Sequence, residues 1–130
     1  MIHSFTELRE RAGAVRPQTV AVACAHDAHT LEAVLHAAQE GILNYLLIGH
    51  PEEILSLGHT IAPETVIPAA TDEEAAAIAV SLVREGRAGF LQKGLMQTAT
   101  ILKAVVNKQT GIGLGRPMSH VALLELPGYP

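Results

Sequence analysis

The sequence predicts an α/β fold, a doubly wound and mostly parallel sheet in a three-layer α/β/α arrangement. Two observations carry this. Short runs such as Thr19-Val20-Ala21-Val22-Ala23 are apolar at consecutive positions instead of alternating, as strands buried on both faces are. Between such runs stand segments with apolar residues at helical spacing and capping signals at their ends, and strands alternating with helices imply parallel crossover connections. With 130 residues, 48% of them apolar, the chain fits one domain. A domain of this size buries roughly two-thirds of its unfolded surface and needs no covalent staples.

Each element has its own local cause. Ser4 and Glu7 match a capping box, which predicts a short helix from Phe5 to about Ala12, ending near Gly13. Thr19 to Ala23 is the first strand. From Asp27 to Glu40, Leu31, Val34, Leu35 and Ala38 make one stripe, with Asp27 as N-cap and Gly41 just past the end. The unit then recurs, with Tyr45-Leu46-Leu47-Ile48 as a strand, Pro51 to Leu57 as a short helix and Thr65-Val66-Ile67 as a brief strand. Thr71 and Glu74 form a second capping box, opening a helix that turns Ala77, Ile78, Ala79, Val80, Leu82 and Val83 inward before Gly86 ends it. Phe90-Leu91-Gln92 is the fourth strand. A helix from about Thr98 to Asn107 follows, with Ile101, Leu102, Val105 and Val106 inward and Lys103 outward. Val121-Ala122-Leu123-Leu124 is a further buried strand, stopped by Pro127-Gly128.

Composition excludes several classes. Cys24 is the only cysteine, so neither a disulfide framework nor a cysteine-based zinc knuckle is available, and a reducing cytoplasm is the expected compartment. The N-terminus has no basic segment followed by an apolar one, and no run approaches the ~18 apolar residues of a membrane span. Two Phe, two Tyr and no Trp leave little for a nucleobase to stack on, which argues against nucleic acid as a partner. Seven histidines show no metal-ligand spacing: His29 and His36 stand seven apart on a helix with no third ligand in register, and no metal is expected. Cys24 reads as a small buried hydrophobe at the end of the first strand.

The net charge of −4 conceals a division along the chain. Residues 1–85 hold twelve acids and four bases; residues 86–130 hold five bases and one acid, Glu125, together with seven of the eleven glycines. Cations with glycine-rich backbone suit a small anion. In an open parallel sheet ligands bind beyond the carboxyl ends of the strands, so the loop Gln92-Lys93-Gly94-Leu95-Met96-Gln97-Thr98-Ala99-Thr100 is the first candidate. Lys93 would stand at the strand end, Gly94 permits a sharp turn, and Thr98 and Thr100 bring hydroxyls to a helix N-terminus that favours negative charge. The same residues also suit a plain cap at Thr98 with Lys93 in solvent. Gly111-Ile112-Gly113-Leu114-Gly115-Arg116 follows a helix and precedes a strand, the reverse of a dinucleotide fingerprint, and reads as a loop carrying Arg116 toward an anion. Ser119 and His120 are adjacent on a strand and point to opposite faces, so they make a poor nucleophile and base pair.

Several segments together resemble the phosphate acetyl/butyryltransferase family. They are Thr19-Val-Ala-Val-Ala, Leu-Glu-Ala-Val at 31–34, Leu47-Ile48-Gly49, Leu82-Val-Arg-Glu-Gly86, Lys93-Gly94-Leu95 with Thr98 and Thr100, Leu102-Lys103-Ala104-Val105, and Gly115-Arg116 with Ser119-His120-Val121 and Leu126-Pro127-Gly128-Tyr129. The resemblance runs nearly end to end, and its spacing is closer to the butyryl-type branch. It implies an isocitrate-dehydrogenase-like half, residues 1–130, of an enzyme with a second domain that is absent here. Such enzymes interconvert acyl-CoA plus phosphate with acyl phosphate plus coenzyme A, by direct transfer in a ternary complex. Coenzyme A is then a substrate, with no bound cofactor. The residues the resemblance assigns are Lys93 and Arg116 to catalysis, and Lys93, Gly94, Thr98, Thr100, Arg116, Ser119 and His120 to phosphate or substrate. This chain alone is expected to be incomplete or inactive. The alternative is a non-catalytic domain that binds coenzyme A or phosphate, or that serves in oligomerisation. The doubly apolar strand at 121–124 predicts a homo-oligomer that buries residues 119–126.

Overall fold

In the computed structural model, which describes residues 2–14, 16–107, 110 and 111, Val20, Ala21, Val22 and Ala23 are each fully buried. They belong to β1 (Gln18–Ala23), the strand whose consecutive apolar residues require cover on both faces. Its neighbours are β2 (Leu43–Gly49) on one side and β4 (Phe90–Lys93) on the other, and β3 (Val66–Pro68) lies beyond β2. The order is β3-β2-β1-β4 and all pairings are parallel. Val20 stands opposite both Tyr45 and Phe90, which sets the register on each side.

Alternate residues of β1 enter two different cores. Val20 and Val22, with Leu47, pack against Leu31 and Val34 of α2 (Ala28–Gln39) and Ile54 of α3 (Pro51–Ser56). Ala21 and Ala23, with Ile48, pack against Ala75, Ala76, Ala79 and Leu82 of α4 (Asp72–Arg84) and Ile101 of α5 (Thr98–Val106). Helices thus cover both faces, giving the expected three layers. On the second face alanines oppose alanines, so the layer is filled by backbone proximity in place of long side chains. A further helix, α1 (Phe5–Gly13), buries none of its residues and is tied to the end of α2 by the Arg9–Glu40 ion pair.

The helix boundaries follow from caps. Ser4 Oγ accepts from the Glu7 N–H at 3.1 Å and Thr71 Oγ1 from the Glu74 N–H at 3.1 Å. In both, the returning carboxylate bonds one residue further out than a standard capping box, to the N–H of His3 (2.9 Å) or of Ala70 (3.0 Å). Asp27 caps α2 through the Thr30 N–H at 3.0 Å, and the Thr30 hydroxyl donates to the same oxygen. These bonds, the hydroxyl's first, hold the Asp27 carboxyl below its ordinary value. Gly41 and Gly86 close α2 and α4 in left-handed conformations, each with the paired bonds of a Schellman motif.

Four local expectations need correction. Thr65 belongs to a 3₁₀ turn, Pro63–Thr65, and the third strand begins at Val66. Ala77 is exposed, and Ala75 and Ala76 take the inward places on α4. Leu102 and Val106 of α5 are exposed, because the helix presents only the Ile101, Ala104, Val105 stripe to its neighbours and the two outward residues lie on the adjoining stripe. Thr98 is not the cap of α5; that place falls to Gln97, whose side chain caps nothing. The predicted strand at 121–124 lies outside the described residues.

Candidate functional site

The strand order reverses between β1 and β4: β2 follows on one side of β1, while β4 flanks the other. The loop leaving β1 leads to α2 on one face and the loop leaving β4 leads to α5 on the opposite face. A reversal of this kind at the carboxyl edge is the crevice position at which open α/β sheets bind ligands, and the segments that stand there are Cys24 to Asp27 and Lys93 to Gln97.

The two loops are joined through backbone. The Gly94 N–H donates to the Ala23 carbonyl at 2.8 Å and the Leu95 N–H to the Cys24 carbonyl at 2.9 Å. Gly94 is buried at this contact, and a Cβ there would collide with the Cys24 carbonyl oxygen. Lys93 bends over its own loop, with Nζ donating to the carbonyls of Met96 at 2.9 Å and Gly94 at 3.3 Å. An ammonium has three donors, so one has no partner among the described residues.

Cys24 has φ of 61° and is the only non-glycine among the described residues in the left-handed region. It is 2% exposed, as a buried small residue should be. Its thiol donates to Asp72 Oδ1 at 3.4 Å, which links the crevice to the first turn of α4. Burial first, then the Asp72 hydrogen bond and the charges of Asp72 and Glu73, push the thiol up to about 12. The stretch from Gly86 to Leu124 lacks acids in sequence, but in space α4 brings these carboxylates to the end of β1.

Of the predicted residues, Lys93 and Gly94 meet at the crevice. Thr98 is exposed at the first position of α5. Thr100 lines a separate cleft of about 610 Å³ between α4 and α5, with Glu73, Ser81 and Lys103. Arg116, Ser119 and His120 lie outside the described residues. Sequence reasoning counted His26 and His50 among the seven histidines without metal-ligand spacing and did not bring them together; they stand just beyond β1 and β2. Their rings lie 5.7 Å apart, His26 Nε2 is 3.8 Å from Glu53 Oε2, and His26 Nδ1 is buried with no partner among the described residues. The available signal was position, since each follows an apolar strand at the carboxyl edge. No group of three or more His, Cys, Asp or Glu side chains among the described residues is arranged to hold a metal ion.

No protein-family model matches the chain. It is 39% identical over 129 residues to a phosphate butyryltransferase of Clostridium acetobutylicum, covering 96% of this chain and 43% of that protein. It is 35% identical over 114 residues to a phosphate acetyltransferase of Thermotoga maritima, covering 85% of this chain and 39% of that one. A phosphotransacetylase structure from Streptococcus pyogenes superposes with a TM-score of 0.65 at 20% identity, over 78% of this chain and 40% of the other, which bears on the fold. A branched-chain phosphotransacylase from Enterococcus faecalis gives 0.54 at 26% identity, over 72% of this chain and 33% of the other. The resemblance to phosphate acetyl/butyryltransferases is thus carried by sequence along nearly the whole chain and by fold, and the chain spans about two-fifths of the length of these curated relatives.

Proposed function

We propose that this chain is one α/β domain of a phosphate acyltransferase of the butyryl/acetyl type, whose complete form converts acyl-CoA and phosphate to acyl phosphate and coenzyme A. The similarity to enzymes of both names supports this reaction class. The observation that carries the reading in this molecule is Lys93, a cation at the reversal of strand order with two donors committed to its loop and the third without a partner among the described residues. Its charge is already oriented, so binding an anion costs little further side-chain entropy. The first turn of α5, with Thr98, adds a partial positive charge beside it. The resemblance would add Arg116 as a second cation, with Ser119 and His120 lining or supporting the cleft; all three lie outside the described residues. Thr100 joins them only where substrate extends into the cleft between α4 and α5.

In the complete enzyme a phosphate oxygen attacks the thioester carbonyl, and cations and backbone donors stabilise the oxyanion before coenzyme A leaves. The thiol of Cys24, buried and bonded to a carboxylate, is unsuited to act as nucleophile, which supports direct transfer over an acyl-enzyme. Coenzyme A enters as substrate, and the protein works in the cytoplasm as a homo-oligomer.

Calorimetry with coenzyme A tests the anion site. Lys93→Ala should weaken binding by about 1 kcal/mol, the low end for a charge-assisted bond because the lysine is exposed, and added salt should weaken the wild type further. Equal affinities would overturn the assignment. A spectrophotometric assay with butyryl-CoA, acetyl-CoA and phosphate should show no robust turnover by these 130 residues alone; robust turnover would refute that expectation.

A further inference from the structure

We propose that Gly94 is a positioning residue for Lys93, acting through the Cys24 carbonyl and not through an N–H offered to the ligand. This rests on the reading of Lys93 as an anion-binding group. The Gly94 N–H is already donated to Ala23, so it has nothing to give an anion. Glycine is required at this place for space. It does not adopt a left-handed φ, but its α-carbon lies against two carbonyls of the neighbouring loop, and a Cβ would stand 2.9 Å from the Ala23 oxygen as well as colliding with that of Cys24. Those carbonyls belong to backbone and cannot swing aside as a flexible side chain would.

What the contact holds in place is the platform under Lys93. Nζ is anchored on the carbonyls of Gly94 and Met96, and the residue between them, Leu95, is fixed by its N–H on Cys24. The Cys24 carbonyl is aimed by a left-handed turn that only this residue among the described non-glycines adopts, with its thiol bonded to Asp72. Two strand ends and the start of a helix are therefore tied at one point: β1 through Cys24, β4 through Gly94, and α4 through Asp72. Displacing Gly94 moves both carbonyls that orient the ammonium.

Acylation of lysines by an N-hydroxysuccinimide ester, followed by peptide mass spectrometry, reads the anchoring without any ligand. In the wild type Lys93 should label severalfold more slowly than the exposed Lys103, and Gly94→Ala should bring the two rates together. Asp72→Ala keeps the Thr71 cap, so it preserves α4 while loosening the Cys24 turn; it should give an intermediate rate. Coenzyme A titrations of Gly94→Ala, Lys93→Ala and the double variant supply the readout that a merely structural role would not move. Lys93→Ala should cost no further affinity once Gly94 is replaced, whereas independent losses would multiply. Lys93 labelling as fast as Lys103 in the wild type, or multiplying losses, overturns the proposal. A protected Lys93 in a chain that does not bind coenzyme A supports the anchoring and refutes the anion-site reading.

Discussion

Exposing the folded chain to a thiol-specific disulfide reagent at pH 8 probes the junction at the end of β1 directly. An ordinary cysteine with a pKa of 9.0 is about one-tenth thiolate at that pH, whereas a thiol near 12 is thiolate in about one molecule in ten thousand. The difference lowers the thiolate population about a thousandfold, an effect that the greater nucleophilicity of a more basic thiolate offsets in part, and burial at 2% exposure slows attack further by denying the reagent access. Asp72→Asn keeps an acceptor oxygen near the sulfur but removes a charge, so labelling should accelerate. It should remain well short of the full factor, because burial is the largest cause of the shift and stays. The same shift fixes a pH dependence. A folded pKa raised above the unfolded value contributes stability that is complete below pH 9 and is lost as pH rises toward about 12, where the unfolded chain sheds a proton that the folded chain keeps. The urea midpoint of the wild type should therefore fall between pH 8.5 and 10.5 by more than that of Cys24→Ser. Wild-type labelling at the rate of a small-molecule thiol, or equal alkaline losses in the two proteins, would refute the account.

Thr71→Ala should lower global stability by about 1 kcal/mol in urea unfolding, since Thr71 caps a helix that carries five buried residues. Ser4→Ala removes an equivalent bond from α1, which buries none, and should fray that helix with little change in the global midpoint. Sedimentation of the wild type should show a dimer or larger species, and Leu124→Lys should shift it to monomer or to aggregate. A clean wild-type monomer at high concentration would refute association through residues 119–126.

The parts of this molecule that depend on neighbours in sequence were legible in the sequence. Capping signals placed the starts of α1, α2 and α4, because a side chain three residues from a free N–H reaches it in any context. The unbroken apolar run identified β1 as doubly buried, since a strand alternates only when one face is wet. Helical spacing alone left the inward face of α5 too broad. Four residues of Thr98–Val106 are large and apolar, and only packing against α4 selects Ile101 and Val105 over Leu102 and Val106.

The candidate site divides in the same way. Lys93 and Gly94 were legible because they follow a strand directly, and the end of a parallel strand is where ligands bind. Three things belonged to tertiary structure alone. Asp72 reaches Cys24 from 48 positions away, which no spacing rule anticipates. Thr100, two residues from Thr98, faces a different cleft, since a step of two turns a helix through roughly 200°. And the N–H of Gly94, a residue that the family resemblance assigns to phosphate or substrate, is committed to Ala23, because the order β1-β4 brings distant parts of the chain into backbone contact. Sequence specified which groups could bind an anion; the pairing of β1 with β4 decided which of them still had a hydrogen bond to offer.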